Sequence, residues 1–187
     1  PPTMWRYREM LPLFPGETPV TLGEGFTPLL RTCRLGDAVG LERLYIKDES
    51  FNPTNSFKAR GQSAAVTRAR ALGATTLTLP TAGNAGNAMA AYAARAGIQA
   101  RIYMPKDTPH ANVEESRIAG AEVIFVDGLI SDAAKRANAD AHAEGWFDLS
   151  TFQEPYRLEG KKVMGYEIAE FFNYQLPDVI VYPTGGG

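Results

Sequence analysis

The sequence predicts an α/β fold built on a parallel sheet, and three observations carry that prediction. From residue 75 onward, short apolar runs alternate with longer helical stretches, the rhythm of right-handed βαβ units. The runs at 75–79, 100–104, 122–126 and 179–182 lack strict apolar–polar alternation, as strands do when helices cover both faces of their sheet. Gly73, Pro80 and Gly97 fall at the junctions, where a helix stops or a strand ends.

Taken in order, residues 1–30 hold Trp5, Tyr7, Phe14, Pro12, Pro15, Pro19 and Pro28, a composition that predicts an extended arm wrapped over a neighbouring surface. A short helix with loops is expected over 31–41, and a strand over 44–47. Asn52-Pro53 and Thr54-Asn55 then form turns, with Ser56 as the cap of a helix that begins at Lys58. Ala65, Val66, Ala69 and Leu72 fall on one face of that helix, and Gly73 stops it. Further helices are expected over 88–96, 112–119, 132–143 and 158–172, with a short edge strand over 146–149. Met89, Tyr92 and Tyr103 read as core, and Asp107 and Glu122 as solvated charges.

With 187 residues and 44% hydrophobic content the chain can bury a sizeable core. A formal net charge of −2 gives no reason to expect nucleic acid or an acidic membrane as partner. Cys33 is the single cysteine, so no internal disulfide can form, which fits a reducing, cytoplasmic compartment. His110 and His142 lie far apart with no cysteine cluster, so no metal site is expected. No apolar run reaches membrane-spanning length, and the N-terminus lacks a signal peptide's order. A first residue of Pro1 and an ending on Gly185-Gly186-Gly187 lead us to expect a piece of a longer polypeptide.

Four stretches carry candidate chemistry. Lys58 falls in the first turn of its helix, where the dipole disfavours a cation, and Arg60 adds like charge; both favour the uncharged amine, although a solvated lysine would look the same. Thr81-Ala82-Gly83-Asn84-Ala85-Gly86 links a strand to a helix through small residues, which makes either a tight turn or an anion site of backbone N–H groups. Gly185, Gly186 and Gly187 could form a phosphate nest or a flexible end. Arg157 offers a planar fork suited to phosphate oxygens, or pairs with Glu154 and Glu159 on a helix surface.

The run Lys47-Asp48-Glu49-Ser50-Phe51-Asn52-Pro53-Thr54-Asn55-Ser56-Phe57-Lys58-Ala59-Arg60-Gly61 resembles the motif Lys-x-Glu-x-x-Asn-Pro-Thr-Gly-Ser-Phe-Lys-x-Arg-Gly of the tryptophan-synthase-β type (fold type II) enzymes that use pyridoxal 5′-phosphate. Asn55 stands where the motif has glycine, and asparagine is the next-best residue for a left-handed backbone. Thr21-Leu22-Gly23-Glu24-Gly25-Phe26-Thr27-Pro28-Leu29 and Ser150-Thr151-Phe152-Gln153-Glu154-Pro155-Tyr156-Arg157-Leu158-Glu159-Gly160-Lys161-Lys162 resemble segments of the threonine synthases, so the likeness spans nearly the whole chain. Thr151 and Phe152 depart from the Asn-Ser expected there.

The resemblance implies pyridoxal 5′-phosphate as cofactor, carried by Lys58 as the catalytic lysine, with Asn84 at its ring oxygen and Gly185, Gly186 and Gly187 around its phosphate. It implies that Thr81, Gly83, Asn84 and Ala85 hold the carboxylate of an amino-acid substrate, and that Ser150, Thr151 and Arg157 hold a substrate phosphate. It further implies a small mobile βα domain at 61–148, with 1–60 and 149–187 forming an N-terminal arm and part of a larger cofactor-binding domain, and a homodimer in full-length form. The activity implied is a lyase reaction converting O-phosphohomoserine and water to threonine and phosphate. Threonine/serine dehydratase and a non-catalytic fragment are the alternatives.

Overall fold

The computed structural model of the chain describes residues 2–184. Its centre is a four-stranded, wholly parallel sheet of β3 (Thr76–Pro80), β4 (Gln99–Pro105), β5 (Glu122–Val126) and β6 (Phe147–Asp148), in the spatial order β5-β4-β3-β6. A separate antiparallel ribbon pairs β1 (Leu29–Arg31) with β2 (Tyr45–Lys47), and α1 (Cys33–Val39) lies between them in sequence. The crossovers are α3 (Asn84–Ala96), α4 (His110–Ile118) and α5 (Ile130–Glu144). The last returns the chain across the sheet, so β6 pairs with β3, Leu77 opposite Phe147.

Both faces of the sheet are covered, which is why its strands do not alternate. Ile102 and Met104 pack in one cluster with Met89, Tyr92 and Ala93 of α3, whereas Tyr103 packs in another with Ala133 and Ala137 of α5. The Tyr103 hydroxyl donates to Asp140 at 2.6 Å, so its buried ring keeps a polar partner.

Helix α2 (Lys58–Ala71) runs through the main core. The sequence points to one apolar face, but every residue from Ala59 to Ala69 is buried, while Leu72 at the helix end is 57% exposed. Alanine, serine and glycine dominate this helix, and small residues let neighbours close in all round. Gly73, at φ +80°, ends it as expected.

Three expectations are corrected. The N-terminal arm opens with a 3-10 helix, Met4–Met10, because Met4 and Trp5 are drawn into the core beside Ala64 and Val163. The expected helix over 158–172 is two, α6 (Tyr156–Lys161) and α7 (Val163–Phe171), joined at Lys162, whose carbonyl takes the tighter i→i+3 bond from the Gly165 N–H. Residues 179–182 form no strand: they have the β-branched composition, but no described strand pairs with them, and Val181 is 90% exposed. The expected Gly185–Gly187 loop lies outside the described residues.

Candidate active site

The lysine loop is set by a buried charge network. Arg60, fully buried, donates to Glu49 (2.7 and 2.9 Å) and to Glu167 (2.6 and 2.8 Å). Lys47 lies 2.8 Å from Glu167 and donates to the Thr27 carbonyl at 3.1 Å. Asn52 donates to the Glu49 carboxylate at 2.8 Å and accepts from the Gly25 N–H at 3.0 Å. Two cations thus face two carboxylates, and the spare lone pairs are taken by Thr27 and the Phe26 N–H. Lys47, Glu49, Asn52 and Arg60 are the spaced residues of the motif, so its spacing encodes this clamp. Between the anchors, Thr54 (φ +64°) and Asn55 (φ +53°) take left-handed backbones. Asn55 tolerates that conformation; the β-branched Thr54 is strained by it.

The clamp delivers Lys58 to the start of α2, where the Ser56 hydroxyl accepts its N–H at 3.3 Å. Two residues apart on a helix, Lys58 and Arg60 do not face each other. Arg60 is spent on Glu49 and Glu167, so it does not tune the lysine. Burial pushes the Lys58 ammonium below its ordinary pKa, and the charges of Lys161 and then Arg157 push the same way.

Those two cations arrive through a close helix crossing. Lys58, Gly61, Gln62, Thr151, Phe152, Glu154, Arg157, Leu158 and Lys161 line one cavity of about 80 Å³ between α2 and α6. A Cβ on Gly61 would lie 2.9 Å from the Arg157 carbonyl oxygen, and one on Gly160 would run into the Arg60 carbonyl and lie 2.9 Å from the Ala64 Cβ. Gly160→Ala is therefore expected to cost about 1–3 kcal/mol. It should also push α6 away from Lys58, read as a lower midpoint in urea together with weakened anion binding.

Arg157 answers to both readings offered above. Its Nε and its N–H each donate to Glu154 at 2.9 Å, with Glu154 only 5% exposed, while Glu159 pairs with Lys162 instead. Arg157 borders the cavity, and its Nη groups donate to no carboxylate among the described residues. Thr151 lines the cavity; Ser150 does not, and its hydroxyl donates to Asp148.

The loop after β3 approaches from the other side. Gln62, one turn beyond Lys58, is 1% exposed; its Nε2 donates weakly to the Ala85 carbonyl at 3.5 Å, and its Oε1 has no partner among the described residues. The Thr81 hydroxyl accepts the Gly83 N–H at 3.1 Å. Helix α3 begins at Asn84, four residues earlier than expected, so the N–H groups of Asn84 and Ala85 are first-turn donors. Asn84 is exposed and its side chain bonds to no described residue. Gly86 is required where it stands, since a Cβ there would lie 2.5 Å from Thr81 Cγ2.

A family model described as pyridoxal-phosphate dependent enzyme matches residues 20–187. The chain belongs to that family. It is 38% identical over 185 residues to the threonine synthase of Methanosarcina acetivorans and 37% identical over 183 residues to that of Methanocaldococcus jannaschii. These alignments take in 98% and 97% of this chain but 45% of each relative, so the chain spans about half the length of the curated relatives it matches. Among solved structures, the apo diaminopropionate ammonia lyase of Escherichia coli superposes with a TM-score of 0.74 at 25% identity, over 82% of this chain and 49% of that one.

The family's enzymes depend on pyridoxal phosphate, and the residues present fit such a group. Burial and neighbouring cations hold the Lys58 pKa below that of an ordinary lysine, and the Gln62 Oε1, buried and without a partner among the described residues, is an acceptor lining the same cavity. Asn84 and the first N–H groups of α3 have no acceptor among the described residues, and Ala85 meets α2 through Gln62. Sequence reasoning passed over Gln62, although it lies at i+4 from Lys58, and Lys161, although it stands within the resembling segment. Glu167 had no signal, since it meets Arg60 across 107 residues of sequence.

Proposed function

We propose that the full-length polypeptide is a threonine synthase, converting O-phosphohomoserine and water to threonine and phosphate. The observation that carries this reading is the cavity that sets Arg157 and Thr151 beside Lys58, in a chain whose curated relatives include threonine synthases. When bound, the cofactor supplies an aldehyde that links to amines and a ring that accepts the electron pair left at a deprotonated carbon.

The chain's own residues do the rest. Lys58 anchors the cofactor and, once released, takes the substrate's α-proton at Nζ and returns a proton later; its burial and cationic neighbours favour the uncharged amine that this requires. Thr81, Gly83 and Ala85 hold the substrate carboxylate at the start of α3. Asn84 donates to the cofactor's ring oxygen, and Gly185, Gly186 and Gly187 surround the cofactor's phosphate. Arg157 and Thr151 hold the departing phosphate, an interaction that strengthens as charge gathers on it. Ser150 positions this segment through Asp148. The division into a small domain (61–148) and parts of a large one, the homodimer and the cytoplasmic location belong to this same reading. Among the described residues no helix is long and apolar enough to cross a membrane.

The departure at Thr151-Phe152 and the likeness to an ammonia lyase favour a second reading, a dehydratase acting on unphosphorylated threonine or serine. Arg157→Ala separates the two. For a synthase it should cost about 2–5 kcal/mol in kcat/KM with O-phosphohomoserine and change turnover of free threonine little. A harmless Arg157→Ala, with ammonia released from threonine, would make the enzyme a dehydratase.

A further inference from the structure

The loop after β3 is held from α4 by a chain of amides whose direction the contacts fix. Asn87 of α3, 3% exposed, donates through Nδ2 to the Glu115 carboxylate and to Asn112 Oδ1 at 3.2 Å. Its Oδ1 accepts from the buried Ser116 hydroxyl at 3.0 Å. A carboxylate accepts and does not donate, so the nitrogen of Asn87 must face Glu115 and Asn112. Asn112 then presents its oxygen to Asn87, which leaves its Nδ2 to donate to the Ala82 carbonyl at 3.0 Å. Neither amide can flip without setting donor against donor.

That last bond pins the loop's backbone. The Ala82 carbonyl and the Gly83 N–H belong to one peptide plane, which is tied at both ends, by Asn112 and by the Thr81 hydroxyl. In the next plane the Gly83 carbonyl accepts from the Gly86 N–H at 3.0 Å. With both planes fixed, the N–H groups of Asn84 and Ala85 are left as donors at the start of α3 without an acceptor among the described residues. Thr81 ties the first plane from within the loop. Asn112 ties it from a separate helix, so the aim of those donors depends on where α4 sits.

We propose that Asn112 is a positioning residue for substrate binding: by holding the Ala82 carbonyl it aims the loop's N–H groups at the α-carboxylate of the amino acid. It therefore sets affinity for the carboxylate and not for the amine. The inference rests on reading residues 81–85 as the carboxylate-binding loop. It applies to a synthase and a dehydratase alike, since the substrates of both carry that group.

The test uses the full-length, cofactor-loaded polypeptide, titrated with threonine and, separately, with isopropanolamine, the same molecule without its carboxylate; the cofactor's absorbance reads each dissociation constant. Asn112→Asp is isosteric, keeps the acceptor for Asn87 and turns an oxygen toward the Ala82 carbonyl. An aspartate in the first turn of α4 suits the helix dipole, so folding is kept. The variant should weaken threonine binding about tenfold or more and isopropanolamine binding less than about twofold. Asn112→Ala, which only removes the bond, should weaken threonine about fivefold. Ala111→Asp adds the same charge at an exposed neighbouring position without touching the bond, and should leave both constants within about twofold. Equal weakening of threonine and the amine would assign Asn112 to packing and overturn the proposal, as would an Ala111→Asp that matches Asn112→Asp. Thr81→Val separates the remaining failures. Threonine weakened by Thr81→Val but untouched by either Asn112 variant would overturn the role of Asn112 and leave the carboxylate loop standing. Threonine untouched by all three would overturn the loop reading itself.

Discussion

Arg60→Ala is expected to destabilise the protein by about 3–5 kcal/mol, because it leaves the buried Glu167 and the half-buried Glu49 carboxylates facing one lysine. Arg60 is fully buried and gives four hydrogen bonds to Glu49 and Glu167, none replaceable by water without opening the core. Burial alone would raise the Glu167 carboxyl pKa, but Arg60, with Lys47 and the Phe26 N–H, outweighs burial and holds it below the usual glutamate value. A carboxyl held low in the folded state contributes stability above its unfolded pKa, and that contribution disappears as pH falls through the folded value. The parent should therefore lose this part of its stability only in acid, below the ordinary glutamate range.

The same network makes a second variant informative. Arg60→Met combined with Glu167→Gln removes one charge of each sign and leaves Lys47 beside Glu49 at 4.0 Å. The double variant should be more stable than the sum of the single changes predicts, by about 0.5–3 kcal/mol. Urea denaturation of the four proteins measures this directly. Strict additivity would mean that the four groups do not act as a unit.

Lys58→Ala is the change with the largest expected effect on activity, a loss on the order of 10⁴-fold or more. Folding should be little disturbed, since Lys58 sits half-buried at the helix start and makes no ion pair with a described residue; its ammonium lies 4.4 Å from the Phe57 ring centroid. Full-length Lys58→Ala should keep its urea midpoint and still bind the cofactor through the loops, while losing covalent attachment. The contrast with Arg60→Ala is the expected result: of two residues two apart on one helix, the loss of one should be read in stability and the loss of the other in activity.

What was legible from sequence follows what each signal measures. The sheet is local: apolar runs, prolines and glycines bound β3, β4 and β5, and the expected Glu122–Val126 strand is found residue for residue. The stretch at 179–182 carries the same composition and forms no strand, because pairing depends on a neighbour that composition cannot supply. The start of α3 was expected too late because Ala85, Gly86 and Asn87 look like loop residues, whereas Gly86 is there for its close approach to Thr81 and Ile102. Arg60 was expected to tune Lys58; its true partner, Glu167, comes from α7, and only the folded chain shows that the motif arginine is structural. Lys161 and Gln62 were within reach, by helical spacing from Arg157 and Lys58.

The central claim is that Lys58 carries the cofactor, and borohydride reduction of the cofactor-loaded full-length polypeptide, followed by peptide mapping, tests it most directly. The account predicts the pyridoxyl group on Lys58. Label on Lys47, which the network holds against Glu167, on Lys161 across the cavity, or on the exposed Lys106 would contradict it.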